Sequence, residues 1–392
     1  MSTREKLSTQ DLWQRASELL PLIGAGAAQR EAERILPHAE IRTLADAGLL
    51  TWRVPVEYGG PGATVHEVVR FLLDLSAVDA NIAQALRPAF GFVEGLFNAP
   101  SEGRQEWYDR VLDGAVFGGA FGEIGAANGV IRARISTDGD HYRLNGHKYY
   151  STGSLYADWV TVTAADEDGK RYSVTLPSDR EGLRRVDDWD GIGQRLTASG
   201  STYLDNTLVH ADELLDRSPA EGERSLVTPF QQLFLAAIEA GIARNALADA
   251  TTFAKEKARP IKHSHATTTV EDPYVQHAVG EIASRAYVAE AGVLRAAQAI
   301  DAAHAEEAGH DERVRAAVEV AQAQFIAVES ALKAAELLFD VGGGSTALRV
   351  HNFDRHWRNA RTVANHNPRY YKAGVVGAHL LTGAEPPTSG LF

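Results

Sequence analysis

With 392 residues, 44% of them hydrophobic and 23% charged, the chain has room for two or three packed domains and an ordinary globular composition. A formal net charge of −13 argues against nucleic acid or an anionic membrane surface as partner, and the lack of cysteine excludes disulfides, thiolate nucleophiles and cysteine-ligated metals. The opening residues carry no signal-peptide pattern and no apolar run reaches about 18 residues, so a cytoplasmic protein is expected.

Three regions follow one another. Residues 1–113 read as a helical domain, with "DLWQRASELLPLIGAG" and "VHEVVRFLLDLSAVDANIAQAL" as its clearest helices and "PVEYGGPGAT" as a loop. Residues 114–224 read as an antiparallel β-domain of seven or eight strands. There, "VIRARIS", "HYRLNGHKYYS", "DWVTVTAA" and "RYSVTLP" are separated by turn-forming stretches. Residues 225–392 read as a four-helix bundle. Ile282, Ala286, Ala289, Val293, Ala297 and Ile300 form one seam, and Val314, Val318, Ala321, Phe325, Val328, Leu332, Ala335 and Phe339 another. The second seam stops at the glycines Gly342 to Gly344. The fold class is therefore α+β.

Several motifs carry no chemistry. "GAGAAQ" follows a helix and lacks the third glycine of a dinucleotide fingerprint, and "GGPGAT" lacks a phosphate-loop lysine. The histidines of "HSH" and "HAEEAGH" have no partners at metal-ligand spacing, so no metal site is expected. No nicotinamide site is visible.

Five blocks, in order, resemble the acyl-CoA dehydrogenase superfamily over about residues 10–390: "VPVEYGGPGAT", "GGAFGEIG", "LNGHKYYSTGSLYADWV", "LTASGSTYLDNTLVHADELL" and "HWRNARTVANHNP". "ARP", "DDW" with the following G-x-R-L-T-x-S-G, and "WRNAR" with the following H-x-P are similar to its flavin-dependent monooxygenase branch, which includes dibenzothiophene and sulfone monooxygenases and amine N-hydroxylases.

The resemblance implies a helical–β–helical fold and a flavin, reduced FMN first with FAD as the alternative. It places Phe121, Glu123, Thr152, Gly153, Ser154, Trp189 and Ser199 at that flavin. It also sends Lys257 and Arg259 to the phosphate of a neighbouring subunit's flavin within a homotetramer, with Gly343, Gly344 and Ser345 as close-approach positions. Without the resemblance, Lys257 and Arg259 read as a basic helix end, and the glycines as a helix stop.

The chemistry turns on a missing base. A dehydrogenase of this family removes an α-proton with a carboxylate at one of two positions, and this chain has His366 at one and Gln231 at the other. Glu239 is more than two turns away and reads as a surface or salt-bridged residue. A histidine suits instead a flavin C4a-hydroperoxide, which survives only in a dry site with a hydrogen-bond donor. The resemblance gives His366 that role with Thr152 beside it; the plainer reading is a loop cap. Where the sulfur oxygenases carry a histidine this chain reads "LRPAFGF", which makes Arg87 and Phe90 candidate substrate contacts; Arg87 pointing inward would hold an acidic group of the substrate, and its other reading is a surface or interface pair.

The expectation is thus the oxygenase of a two-component monooxygenase, fed by a separate NAD(P)H:flavin reductase and using O₂ to oxygenate a small molecule on N, S or C. The alternatives are a dehydrogenase or oxidase with a displaced base, and a non-catalytic scaffold.

Overall fold

The computed structural model describes residues 6–125, 130–216, 218, 222–389 and 392. The first helices are α1 (Thr9–Ala25), α2 (Ala27–Glu33), α3 (His38–Asp46), α4 (Val65–Val78), α5 (Ala80–Gly95) and α6 (Arg104–Leu112). The strands are β1 (Phe117–Ala120), β2 (Arg134–Asp138), β3 (His141–Lys148), β4 (Trp159–Ala165), β5 (Arg171–Pro177), β6 (Leu183–Arg185) and β7 (Thr202–Val209). The chain closes with α7 (Val227–Glu256), α8 (Pro273–Ala303), α9 (His310–Leu337), α10 (Asp354–Ala364) and α11 (Arg369–Thr382).

The apolar run over residues 65–86 is two helices rather than one. Asp79 leaves the helical region (φ −153°, ψ 98°), and its carboxylate accepts from the backbone N–H groups of Asn81 at 3.0 Å and Ile82 at 3.2 Å. Aspartate competes with the helix for these donors and wins as an N-cap. Arg30 holds the same carboxylate at 2.9 Å, so the bend is pinned.

The sheet has the order β1-β4-β2-β3-β7-β6, with β5 paired to β4. Most pairs are antiparallel, but β1 lies parallel to β4, Phe117 beside Trp159 through Ala120 beside Val162. The strands are therefore not all antiparallel as expected. The chain leaves β1, builds the β2–β3 hairpin, and returns along β4 in β1's own direction, the kind of crossover parallel pairing needs.

In the bundle, Ile282, Ala286, Ala289, Val293, Ala297 and Ile300 are each 3% exposed or less, as a packing seam requires. α9 is buried more widely than its seam. Ala316, Ala327, Ala331 and Ala334 are fully enclosed, while Phe325, Leu332 and Phe339 are only partly covered. It packs against α7, α8, α10 and α11, and alanine lets so many neighbours approach. Glu239 departs from expectation. It is wholly buried on α7 and neither carboxylate oxygen has a partner among the described residues, so burial raises its pKa well above the usual carboxylate range. No described helix is long and apolar enough to cross a membrane.

α10 is stitched in place by its polar residues. Arg355 and His356 both reach Asp249, at 2.6 and 2.7 Å, and Arg358 reaches Glu31 at 2.5 Å. Burial, aided by the charge of Arg355, pushes the His356 imidazole down to about 4 from 6.5, while Asp249 opposes that shift. Because the folded value is the lower one, the unfolded chain takes up a proton first, and the stability from neutral His356 is lost as pH falls from 6.5 toward about 4. The gap in thermal midpoint between wild type and His356→Gln should therefore narrow over that interval. A gap that does not change with pH contradicts the assignment.

Candidate active site

A cavity of about 1480 Å³ opens between α5, the β1–β4–β5 part of the sheet, the start of α7 and the end of α10. Its walls are aromatic and apolar at Phe92, Phe121, Tyr150, Trp189 and Ile192, with polar groups at intervals. Among the described lining residues the single carboxylate is Asp216, and it accepts from the backbone of Ser218 at 3.0 Å.

His366 lies just past the end of α10, where Asn365 caps the helix and the His366 backbone donates to the Val363 carbonyl at 3.0 Å. Asn367 ties the loop down by donating to Gln232 at 2.5 Å. The His366 ring is exposed at the cavity, while Val363, Ala364 and Asn367 on either side of it are buried. Arg87, on α5, points inward: its Nη2 donates to His366 Nε2 at 2.8 Å and its Nη1 to Gln231 Oε1 at 2.9 Å. The expected surface pair is absent because Arg87 falls on the same face of α5 as Gly91, one turn on, and that face borders the cavity. Gly91 leaves room for the Gln231 amide in this position, since a Cβ would sit 1.6 Å from Gln231 Nε2 and push that side chain off Arg87. A guanidinium can only donate, so His366 Nε2 is the acceptor and the imidazole proton is on Nδ1. Burial and then the adjacent Arg87 charge push the imidazole down to about 3, which keeps it neutral.

On the sheet side a row of hydroxyls lies under the cavity. Thr152 Oγ1 is 3.0 Å from Ser199 Oγ, which is 2.7 Å from Thr197 Oγ1. Next to them the Gln194 amide is 3% exposed, and neither its nitrogen nor its oxygen has a partner among the described residues. The Gln84 amide oxygen is likewise buried and unsatisfied. Orphaned amides lining a cavity await a ligand with complementary polar atoms, because leaving them so costs about 1–3 kcal/mol each. A flat ring system with an apolar body and a rim of carbonyls and N–H groups meets both the aromatic walls and these amides. The donor set fits a flavin.

Of the residues assigned from sequence, Phe121, Thr152, Trp189, Ser199, Arg87 and His366 line this one cavity. Gly153 and Ser154 lie behind the wall. Gly153 takes φ 73°, a Cβ there would meet the Ala85 carbonyl oxygen at 2.3 Å, and Ser154 Oγ donates to the Ala198 carbonyl at 3.4 Å. Glu123 does not line the cavity: its carboxylate receives Lys148 Nζ at 2.5 Å and the backbone N–H groups of Arg132 and Ala133. Phe90 is in the core between Phe71 and Phe234, and Phe92, two positions on, faces the cavity in its stead. Lys257, Arg259, Gly343, Gly344 and Ser345 are exposed and outside the cavity of this chain.

Sequence reasoning passed over Gln84 and Gln194. Gln194 lies inside the quoted G-x-R-L-T-x-S-G block, in a left-handed conformation (φ 52°), and its backbone N–H is held by Asn359 Oδ1 of "WRNAR" at 2.7 Å. Two blocks far apart in sequence thus form one wall.

The chain has the architecture of a flavoprotein of the acyl-CoA dehydrogenase fold. Residues 16–115 match the family described as acyl-CoA dehydrogenase, N-terminal domain, and residues 233–368 match acyl-CoA dehydrogenase, C-terminal domain. It is 30% identical over 387 residues, 95% of both chains, to a probable FMNH₂-dependent monooxygenase, SfnC, of Pseudomonas putida. It is 31% identical over 386 residues to a dibenzothiophene monooxygenase of Rhodococcus erythropolis, covering 92% of this chain and 91% of that one. The crystal structure of FMN-bound TdsC from Paenibacillus sp. A11-2 superposes with a TM-score of 0.91 at 30% identity, covering 98% of this chain and all of that one. The chain belongs to the flavin-dependent monooxygenase branch of the acyl-CoA dehydrogenase superfamily.

Proposed function

We propose that the protein is the oxygenase of a two-component monooxygenase, taking reduced FMN and O₂ and placing one oxygen atom on a small molecule. The observation that carries this reading is the His366–Arg87–Gln231 cluster, where none of the described residues supplies a carboxylate to remove a proton from carbon. A dehydrogenase or oxidase would need that base. The orphaned amides and open cavity argue against a scaffold that has lost its ligand.

Thr152, Ser199 and the Gln194 amide would hold the rim of the flavin ring, with Phe121, Tyr150 and Trp189 about its apolar body. Bound reduced FMN supplies the electrons that activate O₂. The aromatic walls keep water away from the activated oxygen, which water would otherwise convert to hydrogen peroxide. His366 is neutral and carries its proton on Nδ1, so it can hold a donor toward that oxygen without giving up a charge. Thr152 is a second donor on the opposite wall.

Lys257 and Arg259 are proposed to serve the phosphate in an adjacent subunit of a homotetramer, which accounts for two cations outside this chain's own cavity. That assembly is supported by the apolar face of α11, where Tyr371 is 74% and Leu381 87% exposed in the single chain. A cytoplasmic location goes with the need for a separate reductase. With NADH and FMN, the purified protein should consume no NADH until a flavin reductase is added. Rapid NADH oxidation by this chain alone would remove the two-component reading.

A further inference from the structure

We infer that Arg87 anchors an anionic group of the substrate, so that the molecule oxygenated is a small oxyanion such as a carboxylate, sulfinate or sulfonate. The inference rests on the oxygenase reading above and adds the substrate class to it.

Arg87 is a cation at the cavity wall with no counter-ion. Its partners, Gln231 and His366, are both neutral, and no acidic side chain among the described residues pairs with it. Burial alone acts on the guanidinium, pulling it down to about 10, and it stays charged at neutral pH. Elsewhere the chain treats enclosed arginines differently: Arg30 has Asp79 at 2.9 Å, Arg53 has Glu94 at 3.0 Å, and Arg358 has Glu31 at 2.5 Å. An enclosed charge without a counter-ion is unfavourable; Arg104 and Arg185 rest on backbone carbonyls instead, and of these three arginines Arg87 is the one that lines the cavity.

The geometry suits an oxyanion. A guanidinium has five N–H donors; Gln231 and His366 take one from each Nη, and the buried Nε has no partner among the described residues. One hydrogen is left on each Nη for the oxygens of an anion, a charge-assisted contact of the kind arginine makes with carboxylate, sulfinate or sulfonate. The field has the same sign. In a chain of net charge −13, the charged residues among the described lining are Arg87, Lys170 and Arg171 against Asp216. Phosphate of the flavin is the other oxyanion that could take this place, and the two sources respond differently to substitution.

The test is calorimetric titration of FMN-saturated wild type, Arg87→Gln and Arg87→Lys with butane-1-sulfonate and with butanamide, alongside FMN titration of each protein. Wild type is expected to prefer the sulfonate, and Arg87→Gln to lose about 10–100-fold in sulfonate affinity while butanamide is unaffected. Arg87→Lys, which keeps the charge without the fork, should fall between them, and matched thermal midpoints show that the variants are folded. FMN affinity should change less than about twofold in both variants. Equal sulfonate binding by wild type and Arg87→Gln overturns the inference. So does a large loss of FMN affinity in Arg87→Gln with inorganic phosphate competing for the site, which assigns the anion to the cofactor. If wild type fails to bind FMN at all, the oxygenase reading fails instead.

Discussion

His366→Ala should consume O₂ at near the wild-type rate and release it as hydrogen peroxide, while product formation drops by about 10²–10³. The loss follows from the geometry. The imidazole proton is on Nδ1, and the other donors of the cluster are engaged elsewhere, Arg87 on Gln231 and on the anion assigned to it above and Asn367 on Gln232. Flavin affinity should hold, since the hydroxyls of Thr152 and Ser199 and the Gln194 amide are on another wall. His366→Glu is expected to form an ion pair with Arg87 rather than act as a base, so it should give no acyl-CoA dehydrogenation. The measurement is the ratio of peroxide to product at fixed O₂ uptake. Wild-type coupling in the alanine variant would reduce His366 to a loop cap.

Glu123→Ala should cost about 3 kcal/mol of stability, the low end for a broken buried ion pair. The Lys148 side chain is fully enclosed; besides Glu123 at 2.5 Å, its Nζ donates to the Thr163 hydroxyl at 3.5 Å. Removing the carboxylate strands the ammonium, and replacing both residues with apolar ones should recover most of the loss. The pair also bears on the site. Thr163 donates to the Phe121 carbonyl at 3.3 Å, and Phe121 lines the cavity. Urea denaturation of the two variants checks this, and a double variant no more stable than Glu123→Ala would contradict it.

These two residues show what the sequence made legible. Spacing alone located the bundle seam through Ile282 and Ile300, because an apolar period of three and four has one solution. Motif blocks placed His366, Thr152, Ser199 and Trp189 together, since each is tied to a recognisable local pattern. Side-chain direction was another matter. Glu123 was assigned to the flavin from its position in "GGAFGEIG", yet the buried Lys148 claims it, and that lysine lies in a different strand. Phe90 and Phe92 look alike in a string, and which one faces the cavity depends on how α5 is rotated after the cap at Asp79. Glu239 stands alone in the apolar stretch Leu233 to Ala243, which is itself the mark of a helix enclosed all round; what a string of residues does not show is that no cation among the described residues reaches it. The orphaned Gln194 amide emerged only once the Asn359 contact had folded its loop back.

The central claim is that this cavity holds activated oxygen on reduced FMN and shields it from water. It is tested most directly by mixing the protein with reduced FMN under anaerobic conditions, adding O₂, and following the return of oxidised-flavin absorbance. The account predicts a clear lag before that absorbance returns, shortened in His366→Ala. Reoxidation as fast as that of unbound reduced FMN, in wild type, would contradict it.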